Sequence, residues 1–386
     1  MNMNKGYICT SSYGIKAPII KEGDDLVNII VKSVLDATYI DSTYNMVKND
    51  SIKEGFETQV VKNYDLDDRD IIGITESVIA RAQGNYVTVD EVAENIKALA
   101  GDVKKIIIVN PIYSRNRFSL ILKAIARAAS ESIAIYMPEF DEVGNPSGVN
   151  PFTGVDIKAY YKELVEKEGK NCYFREEDRS HYDNENNAIE IYCGLHDYKE
   201  WKEKYGDERH ITLADICSDK CEYGLLGSNK ATDEKLKLFP NKVKAEKLLY
   251  EVQKRILEKT GKLVYVASYG DGCFKDAVGG IWEFADPVTM PAYTNPDVFE
   301  SRPNEIKIKA FADDQYRNLR GNKLINAIKD SIKSKDDMLI GKMASQGTTP
   351  RIVRDLVASL MDLTSGSGDK GTPIVLVKGY FNNYAK

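Results

Sequence analysis

The sequence predicts a mixed α/β (α+β) fold on three observations. Short β-branched runs, such as IIGIT at 71–75 and VKKIIIVN at 103–110, are typical of buried strands. Segments with apolar residues at helical spacing alternate with these runs. The stretch 103–140 contains strand, helix and strand in succession, which predicts a βαβ unit with parallel strands. A chain of 386 residues is long enough for two or three domains with real cores.

The first hundred residues carry clear helix boundaries. Asp24 or Asp25, in a Gly-Asp-Asp turn, can cap a helix whose apolar residues recur at helical spacing. A later helix, in TVDEVAENIKALAGD, has Thr88 or Asp90 as its expected N-cap and Gly101 as its stop. The predicted strand IIGIT lies between these two helices.

The middle of the chain continues the alternation. After the strand at 103–110 we predict a helix within 114–129 and a second strand within 132–140. A loop dense in Gly, Pro and Asn follows, and helices are then predicted within 156–170 and 197–207.

The last third predicts a long helix, a strand and a terminal helix–strand pair. The long helix ends at Gly261, and the apolar stretch LVYVA at 263–267 follows it. The helix that contains LVASLM leads through the loop TSGSGDKG to the final strand TPIVLVKGY.

Composition excludes several protein classes. Apolar residues make up 42% and charged residues 29%, and no apolar run reaches the ~18 residues that a membrane helix needs. The N-terminal stretch lacks the features of a signal peptide, so we expect a cytoplasmic protein. A net charge of −6 without a basic tract argues against a nucleic-acid partner, while anionic small molecules stay open.

The six cysteines are scattered along the chain, as expected for reduced thiols in the cytoplasm. Cys217 and Cys221 in CSDKC, with Cys193 and His210, match structural zinc spacings only weakly. We therefore expect buried reduced thiols rather than a zinc site.

A first candidate site follows LVYVA, in the segment SYGDGCFKDAVGG at 268–280. Gly270 and Gly272 let the backbone approach a ligand, and successive amides can form an anion-binding nest. Asp271 and Asp276 offer hard oxygen ligands for Mg²⁺ or Mn²⁺, and Lys275 can neutralise a phosphate. The spacing is not that of a Walker A loop. A tight turn with solvated acids is the structural alternative.

A second candidate site, NPIYSRNRFS at 110–119, lies between the end of a strand and the start of a helix, where open α/β sheets bind ligands. Ser114 is the expected helix cap, and Arg115 and Arg117, on either side of Asn116, add positive charge beside the helix N-terminus. The alternative is a pair of surface arginines in the first helical turn.

Several stretches, in this order, resemble the family of gamma-glutamyl ligases that build the glutamate tail of the deazaflavin coenzyme F420. GIKAPIIKEGDDL and ESVIARAQG resemble two N-terminal motifs of that family, and Arg81 stands in the position of the family's lysine. YGLLGSN resembles a Gly-Ile-Asp-x-Ser-Asn motif, in which Ser228 and Asn229 match. GKLVYVASYGDGCFKDAVGG and LVASLM…TPIVLVKG fall where the family has its next strand–loop motif and its C-terminal motif.

The resemblance implies an F420 gamma-glutamyl ligase-like fold and a nucleotide-driven amide ligase. In such an enzyme GTP phosphorylates a carboxylate on the coenzyme precursor, glutamate attacks the acyl phosphate, and divalent metal (Mg²⁺ or Mn²⁺) bridges the phosphates. It also implies a homodimer. The likeness covers about residues 10–100 and 222–380. It predicts a ligase-like core at 1–100 and 222–386, with 101–221 as an inserted or divergent βαβ-containing segment.

The sequence departs from the family at the metal-binding carboxylates. The family's aspartate in Gly-Ile-Asp falls at Leu226, its Asp-Thr pair at Ser268 and Tyr269, and its acidic residue before the C-terminal helix near Ile352. Two hypotheses follow. The first is an amide ligase that adds glutamate or another amino acid to a phosphate-bearing acceptor. The second is a non-catalytic protein that binds a phosphorylated ligand on the same scaffold.

Under the ligase hypothesis each candidate residue has a role. We expect Asp271, Lys275 and Asp276 in catalysis, with Asp271 and Asp276 also holding the metal. The expected nucleotide- and substrate-binding residues are Arg81, Ser114, Arg115, Asn116, Arg117, Ser228, Asn229, Gly270 and Gly272.

Overall fold

A computed structural model describes residues 8–40, 63–142, 144–151, 153–175, 188–195, 197–205, 209–270, 289–335, 352–366 and 368–385, with only the backbone of 276–277 and 281–282. The strands within these residues are β1 (Ser11–Ile15), β2 (Tyr39–Ile40), β3 (Asn63–Tyr64), β4 (Ile71–Thr75), β5 (Tyr86–Thr88), β6 (Lys105–Val109), β7 (Ser132–Tyr136), β8 (Asn171–Arg175), β9 (Ala188–Tyr192), β10 (His210–Thr212), β11 (Asn229–Thr232), β12 (Lys235–Lys237), β13 (Tyr265–Tyr269), β14 (Asp276–Ala277), β15 (Ile281–Trp282) and β16 (Ile374–Lys378).

The helices in the same part of the chain are α1 (Leu26–Thr38), α2 (Glu76–Ala82), α3 (Val89–Ala100), α4 (Arg117–Ala128), α5 (Ile157–Lys167), α6 (Tyr198–Tyr205), α7 (Lys242–Thr260), α8 (Pro296–Phe299), α9 (Ile308–Ala310), α10 (Gly321–Ser334) and α11 (Val353–Ser365). None of the helices that the structure describes has the length and apolar character needed to cross a membrane.

A four-stranded sheet is built from both ends of the chain. Its strand order is β1-β16-β4-β13; β16 is antiparallel to both of its neighbours, and β13 is parallel to β4. Side chains alternate between the two faces, so Ile72 and Ile74 pack with α1 and α7, whereas Ile71 packs with α11. Helices therefore cover both faces of this sheet.

A five-stranded sheet is built from the middle of the chain, and its neighbouring strands are all parallel. Its order is β10-β9-β6-β7-β8, and α4 connects β6 to β7, which confirms the predicted βαβ unit. Side chains of α3, α4 and α5 pack on one face, and Trp201 of α6 packs on the other. From β6 the chain adds β7 and β8 on one side of the sheet, and it then crosses to add β9 and β10 on the other side. The point where the strand order reverses therefore lies between β6 and β9 in the sheet.

A small antiparallel sheet, β11-β12-β5, connects the two larger sheets. Val87 on β5 and Leu236 on β12 are fully buried, and they belong to the same apolar cluster as Ile106 of the five-stranded sheet. This cluster runs along the chain from Val87 to Leu238. The division at 100/101 and 221/222 stays a prediction.

Helix boundaries follow the local capping chemistry. Asp25 caps α1 by accepting from the Asn28 amide, and Thr88 forms a reciprocal capping box with Glu91 at the start of α3. Gly101 ends α3 with a φ of 75°, a conformation that favours glycine. These predicted caps and stops are confirmed.

The predicted cap at Ser114 is wrong. Helix α4 begins three residues later, at Arg117, and its N-cap residue Asn116 makes no side-chain cap bond. Ser114 Oγ instead accepts from the Asn116 amide at 3.1 Å, before the helix begins. The Ser114 hydroxyl is therefore bonded within a short turn that precedes the helix, and it does not cap the helix.

Candidate functional site

The parallel strands β4 and β13 end side by side, and this edge positions the candidate site. Thr75 lies opposite Tyr269 in the register, so the chain leaves both strands at the same place. Glu76 is the first residue after β4, and Gly270 is the first residue after β13. A Cβ atom at Gly270 would lie 2.6 Å from Cγ of Glu76, so this close approach requires glycine.

A cavity of about 390 Å³ opens at the same edge. Its wall includes Thr75 and Tyr269 from the strand ends, Ser77 and Arg81 from α2, and residues of the segments 17–20 and 365–373. Arg81 is exposed, and no described residue forms a hydrogen bond or ion pair with its guanidinium. The cavity thus offers a cation and hydroxyl groups to an anionic ligand.

The loop between α11 and β16 adds glycine backbone to the wall of this cavity and holds a lysine beside that wall. Gly366 and Gly371 have φ angles of 63° and 66°, which an L side chain rarely adopts. Gly366 lies close to the amine of Lys370, since a Cβ atom there would be 2.6 Å from Nζ. From the sequence, this segment is predicted only as a connecting loop. A lysine within a run of glycines before a buried strand was the available signal.

A buried ion pair lies directly behind this edge. Nζ of Lys237, the last residue of β12, donates to both carboxylate oxygens of Glu76 at 2.9 Å. The two side chains are only 7% and 12% exposed. Sequence reasoning named neither residue. The alternation KLKLF predicts a solvent-facing lysine at 237, and the partner lies 161 positions away.

Ser228 and Arg117 come together around one backbone carbonyl, and Asn229 is the next residue after Ser228. The carbonyl oxygen of Leu225 accepts from Ser228 Oγ at 2.8 Å and from Arg117 Nη2 at 3.0 Å. Asn229 is exposed and pairs in register with Lys237. The structure therefore connects the predicted residues of the βαβ unit, through the YGLLGSN turn, to the Glu76–Lys237 pair.

The segment Ser114–Arg117 is held by hydrogen bonds within the five-stranded half. The Ser114 amide donates to the Tyr161 hydroxyl at 2.8 Å, and burial raises the pKa of Tyr161 well above its usual value. Arg115 and Asn116 are exposed, and no described residue hydrogen-bonds to the Arg115 guanidinium.

Several predicted residues lie outside the described part of the chain. Asp271, Gly272 and Lys275 fall there, immediately after Gly270. Asp276 is described only in its backbone, which pairs with Trp282 between β14 and β15. Their roles stay predictions.

The positions where the resemblance expects metal-binding carboxylates are in the interior. Ser268 is fully buried and donates through Oγ to the Met290 carbonyl at 2.6 Å. Tyr269 is 1% exposed, Ile352 is 8% exposed, and Leu226 packs against the apolar cluster. Among the residues that the structure describes, no group of three or more His, Cys, Asp or Glu side chains could hold a metal ion. These residues do not fit Mg²⁺ or Mn²⁺, so a metal site has to use other carboxylates.

The buried thiols are poorly suited to act as nucleophiles. Cys193, Cys217 and Cys221 are buried and unpaired to any other cysteine, as predicted. Burial raises the pKa of all three thiols, that of Cys217 to about 12. The reactive thiolate is therefore disfavoured at neutral pH.

A second, larger cavity of about 920 Å³ lies between α1 and the β1–β16 edge of the four-stranded sheet. Pro18 belongs to the walls of both cavities. The larger one combines apolar side chains such as Ile29 with tyrosines and the lysines Lys16 and Lys378. The two cavities thus meet at Pro18.

The comparisons with known proteins agree with this arrangement of motifs. Residues 14–379 match the protein family described as F420-0:gamma-glutamyl ligase. The matched range includes the segments around both cavities and the middle of the chain. No curated protein matches the chain. Because the match covers nearly the whole sequence, the chain belongs to the F420-0:gamma-glutamyl ligase family.

Proposed function

We propose that the protein is a nucleotide-dependent amide ligase that adds glutamate, or another amino acid, to a carboxylate of a phosphate-bearing acceptor. Membership of a ligase family supports the reaction class. GTP is the proposed phosphoryl donor, by resemblance to that family. The family resemblance also leads us to propose a cytoplasmic homodimer.

The observation that carries the proposal is the 390 Å³ cavity beside the β4–β13 edge. Ligands of α/β proteins bind beyond the carboxyl ends of parallel strands, and this cavity lies there. Arg81 and the nearby Lys370 have no partner among the described residues, so their charges are available to phosphate groups. The adjoining 920 Å³ cavity gives space for a second ligand next to the first, as a two-substrate ligase requires.

The proposed chemistry has two steps. An acceptor carboxylate oxygen attacks the γ-phosphorus of GTP, and GDP leaves. The amine of glutamate then attacks the acyl carbon, phosphate leaves with the C–O bonding electrons, and the nitrogen loses a proton to water. Cations are needed because the first step brings two anions together.

The remaining roles are assigned within this proposal. Arg81 binds phosphate oxygens, and Arg115 and Arg117 with Asn229 contribute to the substrate side. Mg²⁺ or Mn²⁺ is assigned to Asp271 and Asp276, where it would neutralise phosphate charge.

The direct test is nucleotide turnover. We expect GDP release from GTP only when both an amino acid and a carboxylate acceptor are present, across a panel of phosphorylated acceptors with Mg²⁺ and Mn²⁺. GDP release that ignores the amino acid would contradict a ligase.

A paired substitution tests the cavity. Arg81→Met should abolish the rise in unfolding midpoint that GTP with Mg²⁺ produces, because it removes the phosphate-binding cation. Arg317→Met is the matched control, since Arg317 is an exposed arginine outside both cavity walls. Equal nucleotide responses in the two variants would remove Arg81 from the site.

A non-catalytic binding protein is the second candidate, and Leu226, Ser268 and Ile352, which replace the family's carboxylates, favour it. Those positions cannot supply the family's carboxylates. Differential scanning fluorimetry separates the two functions. Stabilisation by GTP that requires Mg²⁺ supports the ligase, whereas equal stabilisation by inorganic pyrophosphate without metal supports the binding protein.

A further inference from the structure

Glu76 and Lys237 form an ion pair that connects two sheets. Glu76 follows β4 of the four-stranded sheet, and Lys237 ends β12 of the small antiparallel sheet. Both carboxylate oxygens accept from Nζ at 2.9 Å, and both side chains are almost completely removed from solvent. This pair therefore fixes the relative position of the ends of the two strands.

Net stability does not explain such a pair. Transferring two charges out of water costs free energy that their attraction only offsets, and well-packed apolar side chains commonly stabilise a protein as well or better. Removing one partner is different, since it leaves a buried charge uncompensated. The pair thus points to a requirement for position or charge at this place.

The surroundings of the pair show what it positions. The side chain of Glu76 packs against Gly270, since a Cβ atom on Gly270 would lie 2.6 Å from Cγ of Glu76. Lys237 lies opposite Asn229 in the β11–β12 register. Thr75 and Ser77, on either side of Glu76, belong to the wall of the 390 Å³ cavity. A carboxylate there without its lysine would repel an anionic ligand.

We infer that Glu76 and Lys237 are positioning residues of the ligand site. They hold Gly270, at the end of β13, and Asn229, opposite Lys237 in the β11–β12 register, on the two sides of the ion pair, and Lys237 cancels a negative charge next to the cavity. The inference rests on the proposed function, in which the 390 Å³ cavity binds the phosphate-bearing ligand and Asn229 contributes to the substrate side.

The experiment compares a single and a double substitution. Lys237→Met should lower the unfolding midpoint and abolish stabilisation by GTP with Mg²⁺. The double variant Glu76→Met/Lys237→Met replaces the pair by apolar side chains of similar length, so its unfolding midpoint should return to that of the wild type. Its turnover should nevertheless stay about a hundredfold lower, because misplacement by an ångström has that effect.

Lys162→Met is the matched control, because Lys162 belongs to an exposed ion pair with Glu166 on α5, and both side chains are 54% exposed. It should change neither the midpoint nor the nucleotide response. A double variant with wild-type stability, wild-type GTP response and wild-type turnover would overturn the inference and leave the pair a structural feature.

Hydrogen exchange separates this inference from the proposed function. Amides of Ser268–Gly270 should exchange faster in the double variant than in the wild type at equal global stability. If wild-type protein shows no GTP response, the proposed function fails, and faster exchange still establishes the positioning role. Unchanged exchange at these amides would overturn positioning whatever the nucleotide does.

Discussion

Parallel strands end at two edges of this molecule, and the polar groups at the two edges are used differently. Beyond β6, the Tyr113 amide donates to the Asp141 carboxylate at 2.7 Å and the Ser114 amide to the Tyr161 hydroxyl at 2.8 Å. Beyond β4 and β13, a cavity opens whose cation, Arg81, has no partner among the described residues. Strand topology nominates both edges as ligand sites. Each edge carries an exposed arginine without a described partner, so the bonded backbone amides at the first edge and the open cavity at the second distinguish them.

The two arginines beyond β6, Arg115 and Arg117, also differ in their hydrogen bonds. Nη2 of Arg117 donates to the Leu225 carbonyl, so at least part of this guanidinium holds the fold together. Arg115 is exposed beside it and is the cation of that loop available to a ligand. The sequence predicts the same role for both arginines, whereas the structure shows Arg115 exposed and Arg117 partly buried.

The largest expected effect comes from Gly224→Ala, in the turn that contains Leu225. Gly224 has a φ of 52°, and a Cβ atom would lie 2.5–2.7 Å from the carbonyl oxygens of Leu213, Ala214 and Ile216. Backbone atoms cannot move aside as a flexible side chain can, so we expect a loss of more than about 3 kcal/mol in the free energy of unfolding. Urea denaturation measures it.

Gly261→Ala is the control for Gly224→Ala, because Gly261 has a left-handed conformation with a φ of 70° and no atom near the added Cβ, and should cost only about 1 kcal/mol. Equal losses would refute the steric argument.

Hydrogen exchange of the Gly224→Ala variant then compares the two halves of the molecule. Faster exchange confined to the five-stranded sheet means that the halves open independently, whereas faster exchange in β4 and β13 as well makes them one cooperative unit.

An intermediate effect is expected for Tyr161→Phe. The hydroxyl of this fully buried tyrosine accepts from the Ser114 amide at 2.8 Å, so its removal leaves a buried donor unsatisfied. The expected loss is about 1–2 kcal/mol of unfolding free energy, again by urea denaturation. Tyr160→Phe, a half-buried neighbour with only a long contact of 3.5 Å to Arg115, should be nearly neutral.

Tyr161→Phe also tests the difference between the two edges. If ligand binds at the β4–β13 edge, the variant should keep the full rise in midpoint produced by GTP with Mg²⁺. A lost or much reduced rise would mean that the nucleotide binds at the Ser114–Arg117 segment and not at the β4–β13 edge.

Local signals in the sequence predicted the elements well, because caps and periodicity act over a few residues. Thr88 and Gly101 delimit α3 as expected, and the strand at Ile71–Thr75 is found where its β-branched run predicts it. The family could also be recognised from the order of short motifs. Each of these signals is contained within a single stretch of chain.

The site itself was only partly predictable, because its contacts join residues far apart in the chain. Arg81 was identified through the resemblance, and its cavity depends on a loop that begins at Ser365. The Glu76–Lys237 pair has no local signature, since alternation places Lys237 on a solvent-facing side that tertiary packing has covered. Ser228 is buried and donates to the Leu225 carbonyl, a contact that no local signal reveals, and its role at the site stays a prediction.

The smallest expected effect is a difference in pH dependence between the halves. In the five-stranded half, a hydrogen bond from Lys220 Nζ lowers the pKa of Glu91 from 4.5 to about 2. Its stabilising contribution is therefore complete above pH 4.5 and is lost as the pH falls towards 2. In the four-stranded half, burial raises the pKa of Asp70 above 3.8, despite bonds from the Asp67 and Gly379 amides. Its contribution has the opposite sign, since folding is favoured below pH 3.8 and weakened as the pH rises through the raised pKa.

Glu91→Gln should therefore flatten the fall in stability between pH 4.5 and 2, and Asp70→Asn should remove a fall that begins above pH 3.8. Because the Glu91 side chain is 48% exposed, solvent screening limits its effect to about 1 kcal/mol or less, and salt should weaken it. Urea denaturation at low ionic strength from pH 2 to 7 measures both slopes. Slopes of the same sign would mean that Asp70 is stabilised in its ionised form, and that its two amide hydrogen bonds outweigh burial at the start of β4.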